Sequence, residues 1–256
     1  MKIVFHGVGG AFAPQEQFNS GAFIQDEHEL KDSDVFLIDV GTDARHSLAE
    51  EGVTVDQIKG VFITHLHADH VGGLEWLAFA TYFHPKADKP FLYVMEDLLE
   101  QLLEMTQPGL GSIKEIHATL RTYFNIIVMK RAESFQWRTL RITPLPNMHV
   151  YDDGLLVPGY GLSIYNNETE LKTLYSGDTM MFSNLVLAYD DHDIIYHDCE
   201  TLPFHSGVHA HYEDLRELPD EIREKMYLYH YADNGAFDAL GDGFGGFLPK
   251  GQKFDV

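Results

Sequence analysis

Apolar and polar positions along this chain fall into two textures. In the first half, apolar runs of strand length are separated by longer stretches in which apolar residues recur at helical spacing. Residues 2–5, 19–24 and 35–40 read as strands, the first at a sheet edge and the other two as a hairpin across the polar turn 26–34. Residues 42–51 read as a helix and 60–64 as a strand, after which Leu74, Leu77, Ala78, Phe79 and Tyr82 mark the apolar face of another helix. Residues 91–95 are β-rich, and 96–105 set Leu98, Leu99, Leu102 and Leu103 at helical spacing. Such alternation lays helices outside sheets and predicts an α/β fold.

From Phe124 onward the candidate strands shorten to 126–129, 139–144, 160–165 and 171–175, with a turn at 166–170, and they predict a second sheet. Residues 194–201 read as a buried strand, and His211 opens a helical segment with Leu215 and Leu218 on one side. The tail 232–256 is rich in Gly and Phe without either period, and reads as a C-terminal arm: a lid, a partner-contacting segment or a loose terminus.

Composition narrows the class. A chain of 256 residues, 45% hydrophobic, is long enough for one core, and a single domain over 1–256 is the expectation. No apolar run approaches about 18 residues and the start has no signal-peptide pattern, which predicts a cytoplasmic protein. The lone Cys199, which cannot form an internal disulfide, agrees with a reducing compartment and reads as a packed core residue. A net charge of -22 repels polyanions and makes large nucleic acids poor partners.

The chemistry concentrates where the strand 60–64 hands over to a helix. Thr64-His65-Leu66-His67-Ala68-Asp69-His70 offers three imidazoles and a carboxylate within six positions, the donor types that divalent zinc takes. Asp39, at the end of an apolar strand, would either orient a metal-bound histidine or cap a turn. His149, Asp178 and His230 each follow a strand candidate, and with the first cluster they complete the donors for a binuclear site, about three ligands per metal plus a carboxylate between. His209 and His211 precede a helix, as an anion-binding pair or a second metal site. The glycine-rich 6–14 lets backbone approach a ligand closely or is a tight strand connection.

These motifs resemble the metallo-β-lactamase superfamily, and the resemblance runs from Gly7 to His230. It implies an αββα sandwich of two mixed sheets with helices on the outer faces, and two metal ions, zinc by expectation with manganese an alternative. It implies that His65, His67 and His149 hold one ion, Asp69, His70 and His230 the other, and that Asp178 bridges. The Gly-x-Gly-Gly-Ala-x-x-Pro run at 7–14 and His197-Asp198-Cys199-Glu200-Thr201 are similar to the phosphodiesterase branch that contains RNase Z, although His209-Ala210-His211 stands where that family has His-x-Thr, and no basic tRNA-gripping arm is present. The compact segments 205–212 and 229–231 look more like cyclic-nucleotide phosphodiesterases, among them the phage anti-Pycsar enzymes acting on cyclic CMP and cyclic UMP. Relatives of this kind are homodimers.

The expected reaction is therefore hydrolysis of a small cyclic nucleotide, with water activated between two metals. Asp69 would bind metal and orient the water, His209 would protonate the departing ribose oxygen, and His211 would contact the phosphate. Tyr151, Phe204 and Tyr231 are the candidates for stacking on the base. RNase Z-like cleavage of tRNA, thioester or lactone hydrolysis, and metal-stabilised binding without turnover are the competing readings.

Overall fold

The computed structural model describes residues 1–12, 14–26, 33–232 and 237–256. The expected polar turn 26–34, the glycine-rich 6–14 and the tail therefore lie in part outside the described residues, at 27–32, 13 and 233–236. Where the sequence suggests one domain over 1–256, the chain divides into two compact units. One comprises Met1–Gly7, Phe18–Lys130 and Lys250–Asp255, the other Val8–Gln17, Arg131–Pro249 and Val256.

The first unit is built on a seven-stranded mixed sheet. Its strands are β1 (Lys2–Gly7), β2 (Gly21–Gln25), β3 (Val35–Ile38), β4 (Ile58–Phe62), β5 (Phe91–Met95), β6 (Asn125–Met129) and β16 (Lys253–Asp255), in the order β16-β1-β2-β3-β4-β5-β6. Pairing is antiparallel from β16 to β3 and parallel from β3 to β6. Parallel neighbours require crossovers, supplied by α1 (Ala44–Glu50), by α2 (Ala68–Val71) with α3 (Leu74–Phe83), and by α4 (Glu96–Leu110) with α5 (Leu120–Tyr123). All four residues of β3 are apolar and buried, as an interior strand covered on both faces needs. Helix α3 buries Leu74, Leu77 and Ala78, and α4 buries Leu98 and Leu102, as their spacing predicts, whereas Tyr82, expected on the same face of α3, is exposed.

The second unit holds another seven-stranded mixed sheet, ordered β15-β14-β13-β12-β11-β8-β7. Its strands are β7 (Phe135–Trp137), β8 (Leu140–Pro146), β11 (Tyr160–Asn166), β12 (Lys172–Tyr175), β13 (Ile194–Asp198), β14 (Met226–Tyr229) and β15 (Gly246–Phe247), with a small hairpin of β9 (Tyr151–Asp152) and β10 (Leu155–Leu156) after β8. β12, β13, β14 and β15 pair in parallel, and α6 (Ser183–Tyr189), then α7 (Tyr212–Arg216) and α8 (Asp220–Arg223), make the crossovers from β12 to β14. Because β11 is antiparallel to both β8 and β12, β8 runs in the same sense as β12. The carboxyl ends of β8, β12, β13 and β14 therefore open on one edge of this sheet, the edge at which α/β sheets hold ligands.

Two sequence expectations are corrected here. β1 is not an edge strand, because β16 pairs with it, Ile3 opposite Phe254. The tail is neither a lid nor a loose end over its described part: β15 and β16 extend the two sheets, while Phe244, Leu248 and Val256 are buried. Burying a phenylalanine stabilises by roughly 2 kcal/mol, and Phe237, Phe244 and Phe247 all pack on Tyr212, which accounts for the aromatic content of the segment. No described helix is long and apolar enough to cross a membrane.

Candidate metal centre

In the first unit the chemistry starts from two parallel strands that end side by side. Ile38 pairs with Phe62, so Asp39 and Thr64 leave the sheet together. The Asp39 carboxylate is fully buried and accepts three hydrogen bonds, from Thr64 N at 2.8 Å, Thr64 Oγ1 at 2.7 Å and His70 Nδ1 at 2.7 Å. Of the two roles open to Asp39 in the sequence, the structure selects the orientation of a histidine. With its proton committed to Nδ1, His70 carries its lone pair on Nε2, which lies 3.5 Å from Asp69 Oδ2. Asp39 sits in the left-handed region at φ 67°, a strained conformation for a residue with a side chain. Gly41 has no alternative, since a Cβ there would stand 2.0 Å from the Asp69 carbonyl oxygen.

His67 caps the start of α2, and Asp69 and His70 occupy its first turn. The ring of His65 lies 4.7 Å from that of His67 and 4.2 Å from that of His70, so the unit gathers all four residues of the motif onto one short turn. Thr64 Oγ1 is 3.0 Å from His65 Nδ1, which ties this ring to the Asp39 network.

The second unit brings a further set to the carboxyl ends of its strands. His149 follows β8, Asp178 follows β12, Asp198 ends β13 and His230 follows β14. Asp178 Oδ2 lies 3.1 Å from His230 Nε2 and 3.8 Å from His149 Nε2. His149 donates its Nδ1 proton to the Val208 carbonyl at 2.7 Å, which leaves the lone pair on Nε2 as the one that could take a metal. Burial lowers the pKa of His149 despite the nearby Asp178 carboxylate, and the neutral ring is the form that binds metal. His230, at φ 67°, is a second strained residue. Gly177, at φ 63°, makes the turn into Asp178 where a Cβ would meet the Tyr160 carbonyl at 2.5 Å.

The sequence reading names Asp198 only within the segment 197–201 and gives it no role of its own. Its buried carboxylate accepts from His209 Nδ1 at 2.7 Å and from Thr179 N at 2.8 Å, and its other oxygen is 3.3 Å from His230 Nδ1. Burial alone would raise the pKa of Asp198, but His209 and His230 outweigh it and hold the carboxyl below its ordinary value. Burial likewise opposes charge on His209, yet the Asp198 carboxylate dominates and raises the pKa of the imidazole. His209 lies beside the ligand candidates, 4.7 Å from the His149 ring and 4.6 Å from the His230 ring. Its potential ligand atom comes within 4.8 Å of those of His149 and Asp178. The available signal was an acid closing an otherwise buried parallel strand.

Two expected roles change. His211 Nε2 donates to the Leu202 carbonyl at 2.9 Å, and Nδ1 accepts from Glu213 N at 3.2 Å. With both nitrogens engaged, the ring is the N-cap of α7 rather than a phosphate contact. Tyr231 is buried, with its hydroxyl donating to the Leu248 carbonyl at 2.8 Å, so it offers no face to a base, whereas Tyr151 and Phe204 are exposed. Cys199 is fully buried and its thiol pKa is pushed up by that burial, in keeping with a packing role.

A family model described as "Anti-Pycsar protein Apyc1" matches residues 1–254. A protein of that description from Paenibacillus harenae is 32% identical over 236 residues, covering 91% of this chain and 90% of the relative. Among solved structures, the metallo-beta-lactamase fold protein YhfI from Bacillus subtilis is similar at a TM-score of 0.76 and 17% identity, with 99% of this chain and 98% of that one covered. A diphosphatase from the PhnP family is similar at a TM-score of 0.71 and 16% identity, with 100% and 97% covered. At these identities the structural likeness establishes the fold: the two mixed sheets and their helices are those of a metallo-β-lactamase fold.

Proposed function

The chain belongs to the anti-Pycsar protein Apyc1 family and is a metal-dependent hydrolase, and we propose that it hydrolyses cyclic mononucleotides such as cyclic CMP and cyclic UMP at a two-metal centre. In this reading His65, His67 and His149 would hold one ion, Asp69, His70 and His230 would hold the other, and Asp178 would serve both. The donor chemistry of each unit fits zinc, and manganese less closely: imidazoles and carboxylates, with Nδ1 of His70 and of His149 committed to an acceptor so that Nε2 is the ligand atom. When bound, two such ions supply a water activated near neutral pH and screen the charge that builds on phosphorus.

The residues of the chain supply orientation and the proton. Asp39 and the Val208 carbonyl accept the Nδ1 protons of His70 and His149, which favours the ligating tautomer, and Asp69 would orient the attacking water. The observation that carries the reading is the Asp198–His209 pair beside His149, Asp178 and His230. Asp198 accepts the Nδ1 proton of His209 and favours the protonated ring, which would let Nε2 deliver a proton to the departing ribose oxygen. An alkoxide leaving group needs that proton, whereas the thiolate released from a thioester leaves without it, which favours a phosphodiester over a thioester. The net charge of -22 favours a small nucleotide over a tRNA. The same reading makes the protein a homodimer, for which the exposed Tyr82 and Phe83 of α3 and Ile127 and Val128 of β6 offer apolar surface.

The test is turnover of a panel, namely 3',5'-cyclic mononucleotides, a cyclic dinucleotide, a tRNA precursor and a thioester, each with and without chelator. Chelator-sensitive hydrolysis of the cyclic mononucleotides is the expected result; turnover confined to the tRNA or the thioester refutes it.

A further inference from the structure

Strand β12 ends on a buried hydroxyl that the chemistry above leaves unused. Ser176 N donates to the Tyr196 carbonyl at 2.9 Å, continuing the parallel ladder with β13, in which Tyr175 stands opposite Tyr196. The next rung of an even ladder would run from Asp198 N to the Ser176 carbonyl. Gly177 prevents it by turning the chain at φ 63°, and the Ser176 carbonyl instead faces Asn147 Nδ2 at 3.4 Å. Asp198 N donates to Ser176 Oγ at 2.8 Å, so the side chain replaces its own carbonyl in the ladder.

A hydroxyl has one proton and two lone pairs, and Ser176 Oγ uses both kinds: it accepts from Asp198 and donates to the Gly177 carbonyl at 2.7 Å. The Tyr229 hydroxyl, on the residue before His230, is 3.4 Å away. Ser176 and Asp198 are both buried, so an alanine at 176 would take from the Asp198 amide the acceptor it uses, with no water to replace it. The same Asp198 accepts from Thr179 N at 2.8 Å and from His209 Nδ1 at 2.7 Å through its carboxylate. The turn that carries Asp178 therefore grips Asp198 twice, at the amide through Ser176 and at the carboxylate through Thr179. We propose that Ser176 is a positioning residue for proton transfer: its hydroxyl fixes Asp198, and through Asp198 it aims the His209 ring at the leaving group. The assignment rests on the reading of His209 as the proton donor and names what holds that donor in place.

Ser176→Ala, Ser176→Thr, His209→Gln and the double variant of Ser176→Ala with His209→Gln test it on two substrates. A 3',5'-cyclic mononucleotide releases an alkoxide that needs a proton, whereas bis-p-nitrophenyl phosphate releases a p-nitrophenolate that does not. The expected result in Ser176→Ala is a kcat about tenfold lower on the cyclic nucleotide, with its KM and the turnover of bis-p-nitrophenyl phosphate changed by no more than about twofold. That retained turnover also reports that the variant folds. Ser176→Thr, which returns the hydroxyl, should restore kcat, and Ser176→Ala should cost nothing further once His209 is glutamine. A readout free of turnover is the proton spectrum of the metal-free chain. The downfield imidazole signal that vanishes in His209→Gln, from the Nδ1 proton shared with Asp198, should shift or broaden in Ser176→Ala. Equal losses on both substrates, an additive loss in the double variant, or an unmoved His209 signal would overturn the assignment and make Ser176 a support of the sheet alone. If wild type turns over no cyclic nucleotide, the functional reading falls, while the His209 signal still decides whether Ser176 orients that ring.

Discussion

Replacing Asp39 by asparagine isolates one hydrogen bond on which the first donor set depends. The carboxylate accepts from Thr64 N, Thr64 Oγ1 and His70 Nδ1 at 2.8, 2.7 and 2.7 Å, and it is fully buried. An amide in the same place keeps its oxygen for Thr64 N, and its nitrogen can donate to Thr64 Oγ1, which accepts as readily as it donates. It cannot accept from His70 Nδ1. His70 must then lose a buried charge-assisted bond, or move its proton to Nε2 and give up the lone pair that a metal needs. A bond of that kind contributes about 2 kcal/mol, which corresponds to roughly 30-fold in metal affinity. Zinc affinity measured by competition with a chromogenic chelator should fall by that factor in Asp39→Asn, with the far-ultraviolet circular dichroism unchanged. A variant that folds and binds zinc as tightly as wild type would show that Asp39 caps the strand end and does not set the tautomer of His70.

His209→Gln should lower kcat on a cyclic nucleotide by about 100-fold or more, while His211→Gln should leave kcat near wild type and cost about 1 kcal/mol of stability through the lost cap of α7; equal effects on kcat would contradict the division of roles. His6, fully buried with its pKa lowered to about 3 by that burial, gives a stability effect at a residue outside the proposed ligand set. The unfolded chain binds this proton near pH 6.5 and the folded chain does not, so stability is full above 6.5 and declines as pH falls toward 3, by at most about 1.4 kcal/mol per unit. Urea unfolding between pH 7 and 5 should show the slope in wild type and a shallower one in His6→Gln, and parallel curves would refute it.

The parts of the fold and site that were legible in the sequence are those whose physics is local. Helices α3 and α4 announce themselves because Leu74, Leu77 and Ala78, and Leu98 and Leu102, must face one side. His65, His67, Asp69 and His70 stand out because donors that share a turn also share a short stretch of chain. Asp178, His149 and His230 were visible as polar residues ending apolar strands. The role of Asp198 was not, since it lies in accepting from Thr179 and His209, partners 19 and 11 residues away. His211 was misread because only the fold brings the Leu202 carbonyl to its ring. The tail was misread because β15 and β16 have two and three residues, too few for any period, and their partners are distant. Helix α6 also escaped notice: its seven residues, Ser183–Tyr189, carry apolar side chains on more than one face.

The central claim is that seven side chains, His65, His67, Asp69, His70, His149, Asp178 and His230, hold two metal ions that act together. Titration of the metal-free chain with zinc, reading bound metal and cyclic-nucleotide turnover in the same samples, tests it most directly. The account predicts two ions per chain, activity that returns only with the second, and loss of one ion in His230→Gln. Full activity with a single ion, or two tightly held ions in His230→Gln, would contradict it.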